Sequence, residues 1–166
     1  MQIEHDMKMR QLFALPVLFV LLFSCTAEPL AEETNIAEAE NSIVLEQELL
    51  GVVNGHRISL GLNTLDFSEV AYKYANIHTD YMIAKGSLSH DHFSARASNI
   101  HEEVEVEMVA ENVAKDHDTA IAAFEGWYQS SNHKKTMEGE FTHTAVSVKK
   151  DAKGNYYFTQ LFFRAQ

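Results

Sequence analysis

Ser89-His90-Asp91-His92-Phe93 and, beyond a polar stretch, Met108-Val109-Ala110-Glu111-Asn112-Val113-Ala114 are the two segments whose reading decides the fold. The second has the apolar content of a short strand. Strict alternation puts Glu111 on the same side as Val109 and Val113, which aims a carboxylate inward. A buried carboxylate has to be paired, hydrogen-bonded or bound to a cation. That cost makes Glu111 the first candidate for chemistry. The first segment supplies imidazoles, and a further one, His133, follows within Ser130-Ser131-Asn132-His133-Lys134.

Upstream of these segments the pattern is helical. Ser42 can cap a helix whose stripe is Leu45, Leu49, Val52, Val53, His56 and Leu60, stopped by Gly61. A second helix carries Phe67, Val70, Ala71, Tyr74, Ala75, His78, Tyr81 and Met82 on one face and closes at Lys85-Gly86. His78 on that face reads as a hydrogen-bonded core residue and is left outside the site. The stretch between Gly86 and the strand reads as a loop. Downstream, Asp116 or Asp118 can cap a helix with Ile121, Phe124, Trp127 and Tyr128, and His133 to Met137 can form a short one. Thr144 to Lys150 and Tyr156 to Arg164 are strands joined by the turn Asp151-Ala152-Lys153-Gly154-Asn155. The order predicts an α+β fold, a small antiparallel sheet flanked by helices, with the final apolar strand central.

The chain has 166 residues, 46% apolar and 22% charged, enough for one domain with a core. Its net charge of −11 argues against nucleic-acid binding, which needs clustered bases. Leu12 to Phe23 is apolar, but its 12 residues fall short of the ~20 a spanning helix needs. With Lys8 and Arg10 before it, the run reads as the core of an export signal over residues 1–24. Glu4 and Asp6 fit such a leader poorly, so Met7 or Met9 competes with Met1 as the start. Leu22-Phe23-Ser24-Cys25 resembles a bacterial lipobox, which makes Cys25 the lipidation site and the membrane a partner. A buried apolar helix with an incidental cysteine is the alternative. Residues 25–41 then form the lipidated cysteine and an acidic tether, or in part a helical extension of the next element. Cys25 is the only cysteine, so the domain at 42–166 has no disulfide. The sequence carries no oligomer signal.

Five motifs in order resemble the CAP superfamily, which includes cysteine-rich secretory proteins, antigen 5 and plant pathogenesis-related-1 proteins. They are Val53-Asn54 with Arg57, Gly61-Leu62 and Leu65, then Ala71, Ala75, His78 and Met82; Ser89-His90-Asp91-His92-Phe93 with Arg96; Ala110-Glu111-Asn112-Val113-Ala114; Trp127 with Ser130 to Lys135; and Tyr157-Phe158-Thr159-Gln160-Leu161-Phe162. The resemblance implies an α-β-α sandwich with a central cleft, where many members hold a divalent cation with two histidines and two acids. It puts the first histidine on His90 and the first glutamate on Glu111. The second acid falls near Ser130 and the last histidine on Tyr157, so half of that set is missing. Bacterial members commonly carry instead a histidine in a Gly-His-Arg turn, to which His133 corresponds. Ala110 and Ala145 stand where glycine is usual.

His90, Glu111 and His133 are therefore the expected cleft residues, with His92 and His143 in reserve. One reading is an exported, lipid-anchored module facing the periplasm or cell surface, which binds a lipid, sterol or cell-envelope component without catalysis. A second is a metal-dependent hydrolase, in which His90, Glu111 and His133 hold a divalent cation such as Zn and leave a fourth position for water. It lacks a clearly placed general base, since Glu107, Glu125 and Glu138 serve only by assumption. Ser130 with His133 reads as a helix cap and a turn histidine rather than a nucleophile pair. A third makes the three residues a hydrogen-bond network that pins the loop. His101 and His117, among acidic neighbours, are expected in solvent.

Overall fold

The computed structural model describes residues 36–166. The expected leader, Cys25 and most of the tether lie outside the described residues. The elements are α1 (Ile43–Ser59), β1 (Asp66–Phe67), α2 (Glu69–Lys85), α3 (Phe93–Glu103), β2 (Val106–Lys115), α4 (Ala120–Gln129), α5 (Ser131–Met137), β3 (His143–Lys150) and β4 (Tyr156–Ala165). The sheet order is β1-β3-β4-β2, so the apolar last strand is indeed central. β2–β4 and β3–β4 are antiparallel, but β1 runs parallel to β3. The sheet is therefore mixed rather than purely antiparallel. Two residues of β1, Asp66 and Phe67, carry too little pattern to be read from sequence. Phe67, expected on the α2 stripe, belongs to this strand and is half exposed.

Helices cover both faces. Leu49, Val53, Ala123, Trp127 and Met137 pack on Ala114, Val146, Val148, Phe158 and Phe162 on one side. On the other, Ala71, Tyr74, Ala75 and Ile100 pack on Ala145, Leu161 and Phe163. Each large side chain so buried contributes about 1.5–3 kcal/mol, and no disulfide is needed within these layers. Since both faces are covered, β3 is buried from Thr144 through Lys149 and its alternation carries no inside-outside meaning.

Three segments near the site differ from their expected form. The expected loop after Gly86 contains α3, whose buried positions are Arg96 and Ile100. An arginine on the inner face hides the apolar period. The α4 cap is Thr119, whose side chain accepts from Ala122 N, whereas Asp116 adopts a left-handed turn at φ 63°. His117 is half-buried, with its ring edge toward Phe158, rather than solvated.

Arg57 is fully buried and fixes α5. Its Nη1 donates to Met137 O (2.7 Å) and Gly139 O (2.8 Å), while Nε donates to Asn63 O (2.9 Å). The last residues of the tether are docked: Ala39 N donates to Asp80 Oδ1 at 2.9 Å, and Asn41 bridges Lys149 antiparallel. Beneath them Lys149 Nζ meets Asp80 Oδ2 at 2.6 Å, with side chains 4% and 8% exposed. Removing one partner leaves an uncompensated buried charge, so Asp80→Ala is expected to cost about 3–5 kcal/mol in urea denaturation. The double variant Asp80→Leu with Lys149→Met is expected to recover most of that loss.

Candidate functional site

Glu111 sits midway along β2 with its side chain 1% exposed, on the face covered by α2 and α3. Its partner is Arg96. Arg96 Nε donates to Oε2 at 2.9 Å, and Nη2 reaches Oε1 at 2.8 Å and Oε2 at 2.7 Å. This fork uses both carboxylate oxygens at once, the geometry in which a guanidinium binds a carboxylate best. The remaining Nη1 donates to Asp91 O at 2.6 Å, so the same side chain holds the His90 loop.

His90 Nδ1 lies 2.9 Å from Glu111 Oε1. An ionised carboxylate only accepts, so Nδ1 carries a proton, and Nε2 is the ring nitrogen left free of the pair. The ring is 54% exposed, which makes Nε2 the reachable polar atom of the pair. Behind it, His78 is 1% exposed and donates from Nε2 to Ser89 O at 2.7 Å. Its 3.6 Å approach to Glu111 Oε1 is too long for a hydrogen bond. The His78 Nδ1 has no partner among the described residues. Burial lowers the His78 pKa, the Glu111 charge opposes this less strongly, and the ring stays neutral.

His133 enters from the opposite layer on α5. Its backbone carbonyl accepts from Asn112 Nδ2 at 3.1 Å. The ring is half-buried, and desolvation, with a smaller repulsion from His90 when that ring is protonated, lowers its pKa. It makes no hydrogen bond to His90 or Glu111, so the structure joins His90 to Glu111 directly and brings His133 to their vicinity. The reserve residues lie elsewhere. His92 takes a left-handed turn at φ 58°, not an extended one, and packs edge-on against Tyr81. His143 stacks on Phe163 at 4.8 Å. A hollow of about 260 Å³ opens over the site, lined by His90, Phe93, Val109, Ala110, Glu111 and Thr136.

A resident divalent cation does not fit these residues. Both Glu111 oxygens serve a guanidinium, whose fixed charge would face any dication placed there. Among the described residues, no three His, Cys, Asp or Glu side chains converge as a metal-holding group. Arg96, the residue that decides this, is visible in sequence only as part of the CAP resemblance. No spacing rule links it to Glu111.

A family model described as CAP, the cysteine-rich secretory protein family, matches residues 50–162. The uncharacterized membrane protein YlbC of Bacillus subtilis (strain 168) is 28% identical over 123 residues. That alignment spans 72% of this chain and 34% of the Bacillus protein's length. The fold is similar to an outer surface protein from Borrelia burgdorferi, with TM-score 0.70 and 16% identity over 77% of this chain and 99% of that one. It is also similar to an extracellular protein containing an SCP domain from Bacillus anthracis str. Ames, with TM-score 0.64 and 25% identity over 74% of this chain and 41% of that one.

The neutral rings give the stability a direction with pH. The unfolded chain protonates its histidines near 6.5, whereas folded His78 and His133 resist protonation. Their contribution is therefore present above about pH 6.5 and lost as pH falls below it, by at most ~1.4 kcal/mol per pH unit for each ring. Urea denaturation at pH 7.5, 6.5 and 5.5 is expected to show this decline, with a shallower slope in His78→Gln.

Proposed function

This chain belongs to the cysteine-rich secretory protein (CAP) family, and from that premise we propose that it is an exported, lipid-anchored module that binds a cell-envelope ligand in the His90–Glu111 cleft without catalysis. One observation carries the non-catalytic part. Glu111 is committed through both oxygens to Arg96, so it is available neither as a metal ligand nor as a general base. What the cleft offers a ligand is His90 Nε2, the apolar flanks of Phe93 and Val109, and the Thr136 hydroxyl. This suits recognition of polar groups beside a small apolar contact.

Export and anchoring are supported by the apolar run at 12–23 followed by Cys25. The membrane and extracellular descriptions of the Bacillus relatives agree with export. Anchored through Cys25, the domain would stand off an envelope membrane on its acidic tether. Among the described residues no helix is long and apolar enough to cross a membrane.

A purely structural role has its own support, because Arg96 ties Asp91 O and Glu111 into one network that pins the loop. His90 separates the two readings. Its ring is half exposed and makes one hydrogen bond, so His90→Ala is expected to shift the melting temperature by no more than a few degrees. Saturation binding to a panel of lipids, sterols and cell-wall fragments is expected to identify a ligand whose affinity falls roughly tenfold in this variant. A panel without any saturable ligand would leave the structural role.

A further inference from the structure

We infer that the cleft takes an extended peptide, added as a strand along the free edge of β2 with an acidic side chain toward Lys135; this rests on reading the cleft as a binding site. Asp116 N donates to Tyr156 O at 3.0 Å. The β2–β4 register runs unbroken from Met108↔Arg164 to Lys115↔Tyr157. Peptide groups alternate sides along a strand. The even-numbered residues of β2 therefore face β4, and Val109, Glu111 and Val113 turn their N–H and C=O outward. Trp127 Nε1, donating to Val113 O at 3.0 Å from outside the sheet, checks this parity independently. Val109 and Glu111 have no backbone hydrogen-bond partner on that edge among the described residues.

Both residues line the hollow. Their outward groups repeat every ~6.8 Å, the two-residue repeat of an extended chain. Trp127 closes the array at one end and the bulge between Val106 and Met108 at the other, which leaves two rungs. The opposite edge of the sheet is treated differently. There β1 covers one end of β3, Ser42 N donates to Val148 O at 2.7 Å, and Glu46 Oε1 accepts from Val148 N at 2.9 Å. The chain thus covers one edge with its own segments and leaves the other open within a cleft, the arrangement used in strand addition.

Charge selects the occupant. A second hollow, lined by Met108, Lys134, Lys135 and Thr136 among others, adjoins the first at Thr136. Its acids are engaged: Glu138 with His56 at 2.8 Å and Glu140 with Arg164 at 3.1 Å. Lys135 has no ion-pair partner among the described residues, and so offers a free cation beside the edge. A second copy, at a net charge of −11, is repelled far more strongly than a short peptide with one or two carboxylates.

The test uses the full chain and a fluorescent probe, acetyl-Val-Asp-Val-Asp-Val-amide, in two N-methylated forms: one blocked at both aspartates, the other at the inner and last valines. Only one alternate set of amides faces β2. Saturable binding is expected, weakened on the order of tenfold or more by one N-methyl form and not by the other. Val109→Pro removes an outward N–H that the ladder to β4 does not use, a substitution edge strands tolerate. It is expected to weaken binding on the order of tenfold, and Lys135→Glu to weaken it as well. Should the proline variant fail to fold, the paired N-methyl peptides on the unaltered protein decide. No binding by any peptide, equal binding by both N-methyl forms, or a concentration-dependent dimer abolished by Val109→Pro would overturn the proposal. If peptides fail while a lipid, sterol or cell-wall fragment binds in a His90-dependent way, the cleft remains a binding site and only the ligand class is wrong. If both fail, both readings fall.

Discussion

The forked ion pair between Arg96 and Glu111 is the constraint on which the rest of the cleft depends. A carboxylate on the inner face of a covered strand costs several kcal/mol unless its charge is answered in place. Arg96 answers it with three hydrogen bonds, and a fourth, to Asp91 O, sets the path of the loop. That loop presents the half-exposed His90 ring at the surface. One guanidinium therefore accounts for the path of the loop and the unsuitability of Glu111 as a metal ligand.

The layers explain why the cleft lies where it does. β4, the most apolar strand, needs cover on both faces and both edges and is central, which leaves β2 at a margin of the sheet. α3 and α5 meet that margin from opposite faces, so His90 and Phe93 arrive on one side and Thr136 on the other. Arg57, buried among the carbonyls of Met137 and Gly139, holds the α5 side in place. Two arginines at internal positions, one per layer, thus position the two walls.

Much of this is legible in the sequence. The helices around Leu49 and Ala71 follow their apolar stripes, with Gly61 and Gly86 ending them in left-handed turns, and the last three strands follow their apolar or aromatic runs. The cost of an inward Glu111 can be read without any structure. Two of the missed features have a common physical cause: their buried groups are polar or charged. α3 reads as loop because Arg96 occupies an inner position that a period search expects to be apolar. Lys149 reads as a strand end, yet it is buried against Asp80. β1 is too short for any pattern, and the parallel pairing it makes with β3 depends on where the intervening helices carry the chain. The contact between His90 and Glu111 comes through the CAP resemblance, because no local rule joins a loop histidine to a strand carboxylate 21 positions away.

Glu111 is neutralised by Arg96 and not by a metal ion. Calorimetric titration of zinc into the full chain at neutral pH, alongside Glu111→Gln, tests it most directly. No stoichiometric binding that depends on Glu111 is expected. One-to-one binding lost in Glu111→Gln would contradict it, by showing that the carboxylate exchanges its guanidinium for a cation in solution.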